Sequence, residues 1–215
     1  TLGNLENAAA MGQRPLPRLL AVSKTQPVAA IAALAAAGQK AFGENYVQEA
    51  QHKVLALAGG GLEWHLIGHL QSNKAELAAR LFDWVQTVDR VKLVEALARH
   101  RPQDRPPLNV LVQVNIDDEA SKHGCQPEEV PTLAAAIAQQ PRLRLRGLMA
   151  IPAPHAQIEA RRPAYRAMAD LFRQLSQHHP GLDTLSMGMS DDYPLAIAEG
   201  ATMVRIGTAL FGRRE

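Results

Sequence analysis

At 215 residues, 47% of them hydrophobic and with no long polar tract, the chain can bury a substantial core and still fold as one domain. Lysine and arginine total 23 against 21 acidic residues, and a formal charge of +2 leaves no electrostatic footprint for nucleic acid or an anionic membrane surface. The single cysteine, Cys125, excludes an intrachain disulfide framework and fits a cytoplasmic setting; no apolar run approaches the ~20 residues of a membrane span, and Thr1 to Pro17 lack the order of a signal peptide.

Short apolar runs alternate with segments of helical period along the whole chain, the pattern of a parallel sheet wrapped by helices. A helix over Leu2–Met11 is expected to precede the first strand; the sequence opens at Thr1 without an initiator Met, so residues can lie ahead of it. Strands are expected at Leu19–Ser23, Ala41–Gly43, Glu63–Ile67, Trp84–Thr87, Asn109–Asn115, Arg144–Met149, Thr184–Met187 and Met203–Ile206. Between them, Pro27 and Pro127 suit first helical turns, Asp89 can cap a helix beginning near Val91, and Gly38 and Gly200 sit where helices should stop. Val130, Leu133, Ala134 and Ile137 share one helical face, as do Tyr165, Met168, Ala169 and Phe172, and both faces should pack on the strands. In the fifth strand Val110, Val112, Val114 and Ile116 fall on one side, while Asn109, Leu111, Gln113 and Asn115 fall on the other and should point inward.

Eight strand–helix units in a chain of this length match the lower size limit of a TIM (β/α)8 barrel. A doubly wound sheet would instead carry a glycine-rich first turn, and the segment after the first strand reads Ser23-Lys24-Thr25-Gln26-Pro27. The expectation is one α/β barrel domain over residues 1–215 with an additional N-terminal helix, acting as a monomer.

In such a barrel functional groups lie at the C-terminal ends of strands. Lys24 follows the apolar run Leu19 to Val22, where desolvation favours the neutral, nucleophilic amine; the alternative is an ordinary solvated lysine. The loops after the seventh and eighth strands supply Gly188, Ser190, Gly207 and Thr208, the glycines and hydroxyls of a frequent phosphate site; the alternative is two tight turns. Arg205 lies inside the apolar strand Met203–Ile206 and must find a partner, either a ligand or a neighbouring carboxylate. His65 and His69 straddle Gly68 rather than riding one helical face, so no metal site is expected. Cys125 reads as an inert thiol, His178-His179 as a surface helix end whose imidazoles meet terminal carbonyls, and Lys122 as a solvated lysine that could meet a ligand at the mouth.

Five runs carry a resemblance: Ala21 to Thr25, Phe42-Gly43-Glu44-Asn45-Tyr46-Val47-Gln48-Glu49, Trp64 to Lys74, Gly188-Met189-Ser190-Asp191-Asp192, and Val204 to Gly212. In order and at normal spacing from Leu19 to Gly212, they resemble the YggS/PROSC family of pyridoxal phosphate homeostasis proteins. The resemblance implies the barrel fold of the alanine racemase N-terminal domain, pyridoxal 5'-phosphate (PLP) as cofactor, and Lys24 as the lysine that forms an imine with it. It also implies that Asn45 and His65 line the cleft, that Ser190, Gly207 and Thr208 hold phosphate with Ser186 and Met189 beside them, and that Arg205 faces the pyridine nitrogen. The N-terminal helix is shorter than the family usually has, and Tyr193-Pro194 follows Asp191-Asp192 where other members vary.

Racemisation needs acid/base groups on both faces of the planar adduct, and in racemases of this fold the second comes from an additional domain. The expectation is therefore a non-catalytic carrier or regulator in vitamin B6 homeostasis that delivers PLP to PLP-dependent apoenzymes. Two other readings stay open: a minimal racemase using Tyr46, His65 or another chain as second base, and a phosphosugar lyase using Lys24 without cofactor.

Overall fold

A computed structural model describes residues 2–118 and 123–212, and Lys122 lies outside them. Helix α1 (Leu2–Met11) leads into β1 (Arg18–Val22), α2 (Val28–Ala36), β2 (Ala41–Glu44), α3 (Val47–Ala56), β3 (Glu63–Leu66), α4 (Ala75–Leu81), β4 (Trp84–Val88) and α5 (Val91–His100). The second half runs β5 (Leu108–Val114), α6 (Val130–Ala138), β6 (Leu143–Ala150), α7 (Arg162–His178), β7 (Thr184–Ser186), α8 (Tyr193–Ala198), β8 (Met203–Ile206) and α9 (Thr208–Phe211). The eight strands are parallel, each paired with its neighbours in chain order, and β8 returns to β1, so the sheet closes into the expected barrel. Among the described residues no helix is long and apolar enough to cross a membrane.

Two apolar layers follow from the period-two alternation of the strands. The outward side chains, such as Val110, Val112 and Val114 of β5, join the helix faces, including Val130, Leu133, Ala134 and Ile137 of α6, in one continuous core. Tyr165 and Met168 of α7 are buried in it, while Ala169 and Phe172 pack at its edge. The inward side chains form two smaller clusters, one of Leu20, Ala41, Ile67 and Met203 with Val22 beside it, the other of Trp84, Leu111 and Met149. The barrel is thus filled, and the N-terminal rim is closed by polar pairs: Arg18 with Glu63, and Arg146 with Asp183 and Asn109, its guanidinium 4.6 Å from the Trp84 ring centroid.

Several local expectations change. Asp89 does not cap α5: the N-cap is Arg90, without a side-chain cap, and Asp89 pairs with the Arg90 guanidinium instead. Pro27 is the N-cap of α2 rather than a residue of its first turn. At the end of α7 the His179 N–H reaches Leu175 O, and neither imidazole of His178-His179 bonds to a carbonyl among the described residues.

Candidate functional site

Each inward stripe of the sheet continues past its strand end to the C-terminal rim. Leu20 and Val22 face the interior and Ser23 is buried on the outer side, so Lys24 is next in line inward. Lys24 is half-buried in a turn closed by Gln26 N–H to Ser23 O at 3.0 Å. The Ala21↔Ile206 register sets the residues after β8 beside this turn; a Cβ added at Gly207 would lie 3.3 Å from Val22 O.

Asn45 follows Gly43 in the same way. Its backbone is pressed against Gly68, where a Cβ would come within 2.1 Å of Asn45 O, so glycine is required there for the two rim segments to touch. Beyond them lies a hollow of about 480 Å³ lined by Asn45, Tyr46, His69, Gln71, Lys74 and His123, in which the His69 and His123 rings stack at 3.7 Å.

Arg205 is 3% exposed and donates to Ser186 Oγ and Ala150 O, each at 2.9 Å. It has no carboxylate within ion-pair distance among the described residues, so the structural ion pair is not what satisfies it. Burial pulls its pKa down to about 10, with Tyr165 and Asp192 opposing, which leaves it cationic at neutral pH. Ser186 donates to Gln86 Oε1 at 2.7 Å, Gln86 Nε2 lies 2.9 Å from His65 Nδ1, and His65 Nε2 meets Glu63. One His65 tautomer, protonated on Nε2, lets every donor in this chain point from Arg205 towards Glu63. His65 is fully buried and stacked on Trp84; desolvation lowers its pKa against the pull of Glu63, so the ring is neutral. Burial would raise the Glu63 carboxyl, but His65 and Arg18 outweigh it and hold it at about 2. His65 and Ser186 therefore sit behind Arg205, inside the barrel, rather than on the rim.

The turn after β7 is shaped by Gly188, at φ +91°, where a Cβ would lie 2.5 Å from Ala196 Cβ. The Met189 N–H is taken by Asp192 Oδ1 at 2.8 Å, and Asp192 is anchored by Arg161, so Met189 offers a ligand only its side chain, 38% exposed. The Ser190 and Thr208 hydroxyls have no hydrogen-bond partner among the described residues, and Gly207 and Thr208 open the neighbouring turn. The structure thus brings Lys24, Ser190, Gly207 and Thr208 to one rim, with Arg205 below them and Asn45 on the flank.

Two groups escaped the reading of the sequence. Gln86 is the link between His65 and Ser186, and Lys53 of α3 is buried beside Glu44. A signal for the second exists: Val47, Ala50 and Lys53 form the inward face of α3, so a lysine falls where an apolar residue belongs, opposite a glutamate ending β2. Cys125 is buried, its thiol pushed up to about 12 by burial and by Glu129 and Asp89, as suits an inert residue. No group of three or more His, Cys, Asp or Glu side chains is placed to hold a metal ion among the described residues.

A family model described as "Alanine racemase, N-terminal domain" matches residues 3–215. The chain is 57% identical over 201 residues to the pyridoxal phosphate homeostasis protein of Haemophilus influenzae, covering 92% of this chain and 85% of that one. It is 54% identical over 211 residues to the Pseudomonas aeruginosa protein of the same name, covering 98% and 90%. Among solved structures it superposes on PipY of Synechococcus elongatus with PLP bound, at a TM-score of 0.84 and 36% identity, covering 99% of this chain and 100% of that one.

Proposed function

Since the chain belongs to the alanine racemase N-terminal domain family, among its pyridoxal phosphate homeostasis proteins, we propose that it binds PLP at the C-terminal rim of the barrel through Lys24 and serves as a carrier or regulator of that cofactor rather than as a catalyst. When bound, PLP would supply a reactive aldehyde, and the Lys24 amine is the group that would hold it.

The donor set fits such a group. Ser190 and Thr208 offer hydroxyls to a phosphate, Gly207 lets the turn after β8 pack closely on Val22 beside them, and Gly188 keeps the turn after β7 tight. Asn45 and Met189 flank the cleft. Arg205, cationic and bonded only to neutral groups, would hold a facing pyridine nitrogen unprotonated, which weakens the ring as an electron sink. Ser186, Gln86 and His65 hold the guanidinium in place.

One observation carries the reading: the turn bearing Lys24 and the hydroxyl-bearing turn after β8 are neighbours on one rim, above a desolvated cation without a carboxylate partner. Support for a non-catalytic role comes from His65, one of the two side chains of this chain considered as a second base, whose ring nitrogens are both engaged deep in the barrel. Recipients would be PLP-dependent apoenzymes, with this chain lowering the free aldehyde concentration between them.

Purified protein mixed with PLP should turn yellow, Lys24→Ala should not, and L-alanine incubated with the yellow protein should stay L on chiral analysis. Steady racemisation that Lys24→Ala abolishes would sink the carrier reading, and colourless protein trapped by borohydride with a ketose phosphate would replace it with a lyase.

A further inference from the structure

The backbone on both sides of Lys24 is tied to one buried ion-pair cluster between β2 and α3. Glu44 is fully buried and Lys53 is 4% exposed. The three N–H groups of the Lys53 ammonium go to Glu44 at 2.9 and 3.0 Å, Glu49 at 2.6 Å and the Ser23 carbonyl at 2.8 Å. Ser23 returns its hydroxyl to Glu44 at 2.5 Å, and Thr25 donates its backbone N–H to Glu49 at 2.6 Å. Lys24 is the residue between these two tied neighbours.

Ser23 to Gln26 form a four-residue turn with Thr25 in third place at φ +64°. That place in a turn of this kind favours glycine or asparagine, and a β-branched side chain resists it. Something outside the turn must hold it. The bond from Thr25 N–H to Glu49 and the double use of Ser23 O, by Gln26 and Lys53, do so from opposite sides of Lys24. A lysine and two glutamates are a costly way to pack a helix on a strand, since apolar side chains could fill the same space. What the charges add here is a set of bonds that converge on one turn.

We propose that Lys53, acting with Glu44 and Glu49, is a positioning residue for Lys24: the cluster locks the turn at Thr25 and so fixes the direction from which the Lys24 amine meets an aldehyde. This rests on Lys24 being the imine-forming lysine.

The test follows imine absorbance after rapid mixing of PLP with the full chain. Glu49→Ala removes the tie to Thr25 while Lys53 keeps Glu44, so no buried charge is left unpaired and the fold should stand. The expected result is imine formation slowed about tenfold, because small misplacement of a reacting group costs one or more decades in rate. Affinity for pyridoxine 5'-phosphate, whose alcohol cannot condense, should stay within about twofold, since phosphate contacts are untouched. Adding Thr25→Gly to Glu49→Ala should recover about threefold or more, because glycine takes a positive φ without external ties. Glu49→Gln, which keeps an acceptor for Thr25, should lie closer to wild type than Glu49→Ala. An unchanged rate in Glu49→Ala, an equal loss of pyridoxine 5'-phosphate affinity, or no recovery with Thr25→Gly would each overturn the proposal. If borohydride labels another lysine in the wild type, the functional reading falls instead; if Lys24 is labelled and Glu49→Ala behaves as wild type, only the positioning role falls.

Discussion

Arg205 shows how a single residue can be half readable. A guanidinium inside the apolar run Met203–Ile206 announces that it needs partners, but these prove to be Ser186 and a backbone carbonyl contributed by other strands. The partner set depends on closure of the barrel, which brings Gln86 and Ser186 together across 100 positions of chain, and no local spacing encodes that. Gln86→Leu should therefore act at a distance. It strips partners from His65 and Ser186, and each buried polar group left unpaired costs about 1–3 kcal/mol, so urea unfolding should show a loss in that range per orphaned group. A loss within error of zero would mean that the chain of donors does not brace Arg205. Gly188→Ala should also destabilise, by about 1–3 kcal/mol, because its φ of +91° and the 2.5 Å approach to Ala196 Cβ leave no room for a side chain. For Lys24 only the place is readable locally, just past an apolar strand and ahead of Pro27; that it forms an imine is implied by the family resemblance and is left to the labelling test below.

Among the elements, strands and helix faces were the readable part because their periods are local. The stripe Val110, Val112, Val114 and the face Val130, Leu133, Ala134, Ile137 meet in the outer core as their spacing implies. Where the reading failed, another partner took the side chain: Asp89 pairs with the guanidinium of its chain neighbour Arg90 and lies 3.8 Å from His69 across the rim instead of capping α5. The β4–β5 register shifts between Val85 and Val88, an irregularity that alternation alone does not announce. The close contact of Gly68 with Asn45 belongs to this scale too, since it joins the end of β3 to the turn after β2. Gly68→Ala should push the Asn45 segment outward and lower both stability and PLP affinity, measured by urea unfolding and by absorbance titration; wild-type values in both would show that this contact does not shape the rim.

For the whole molecule, closure of the sheet couples every strand to two neighbours, and we expect one cooperative unit. Trp64 in the outer core and Trp84 inside the barrel provide separate fluorescence probes, and single-tryptophan variants should unfold at the same urea midpoint as the circular dichroism signal. Stability should also fall in acid. His65 is held below its unfolded pKa by desolvation, so the folded form binds fewer protons and stability declines as pH drops below about 6.5 towards the folded value. Glu63, held at about 2 by His65 and Arg18, contributes above 4.5 and is lost as pH falls from 4.5 through 2. Unfolding midpoints that are flat from neutral pH to pH 3 would contradict both assignments. Cofactor binding at this rim turns on the identity of one amine, and the direct test is borohydride reduction of the protein loaded with PLP, followed by digestion and peptide mass analysis. A phosphopyridoxyl group on the peptide containing Lys24, absent from Lys24→Ala, is the predicted result; the same mass on Lys53, Lys74 or any other lysine, or no labelled peptide in the wild type, would contradict it.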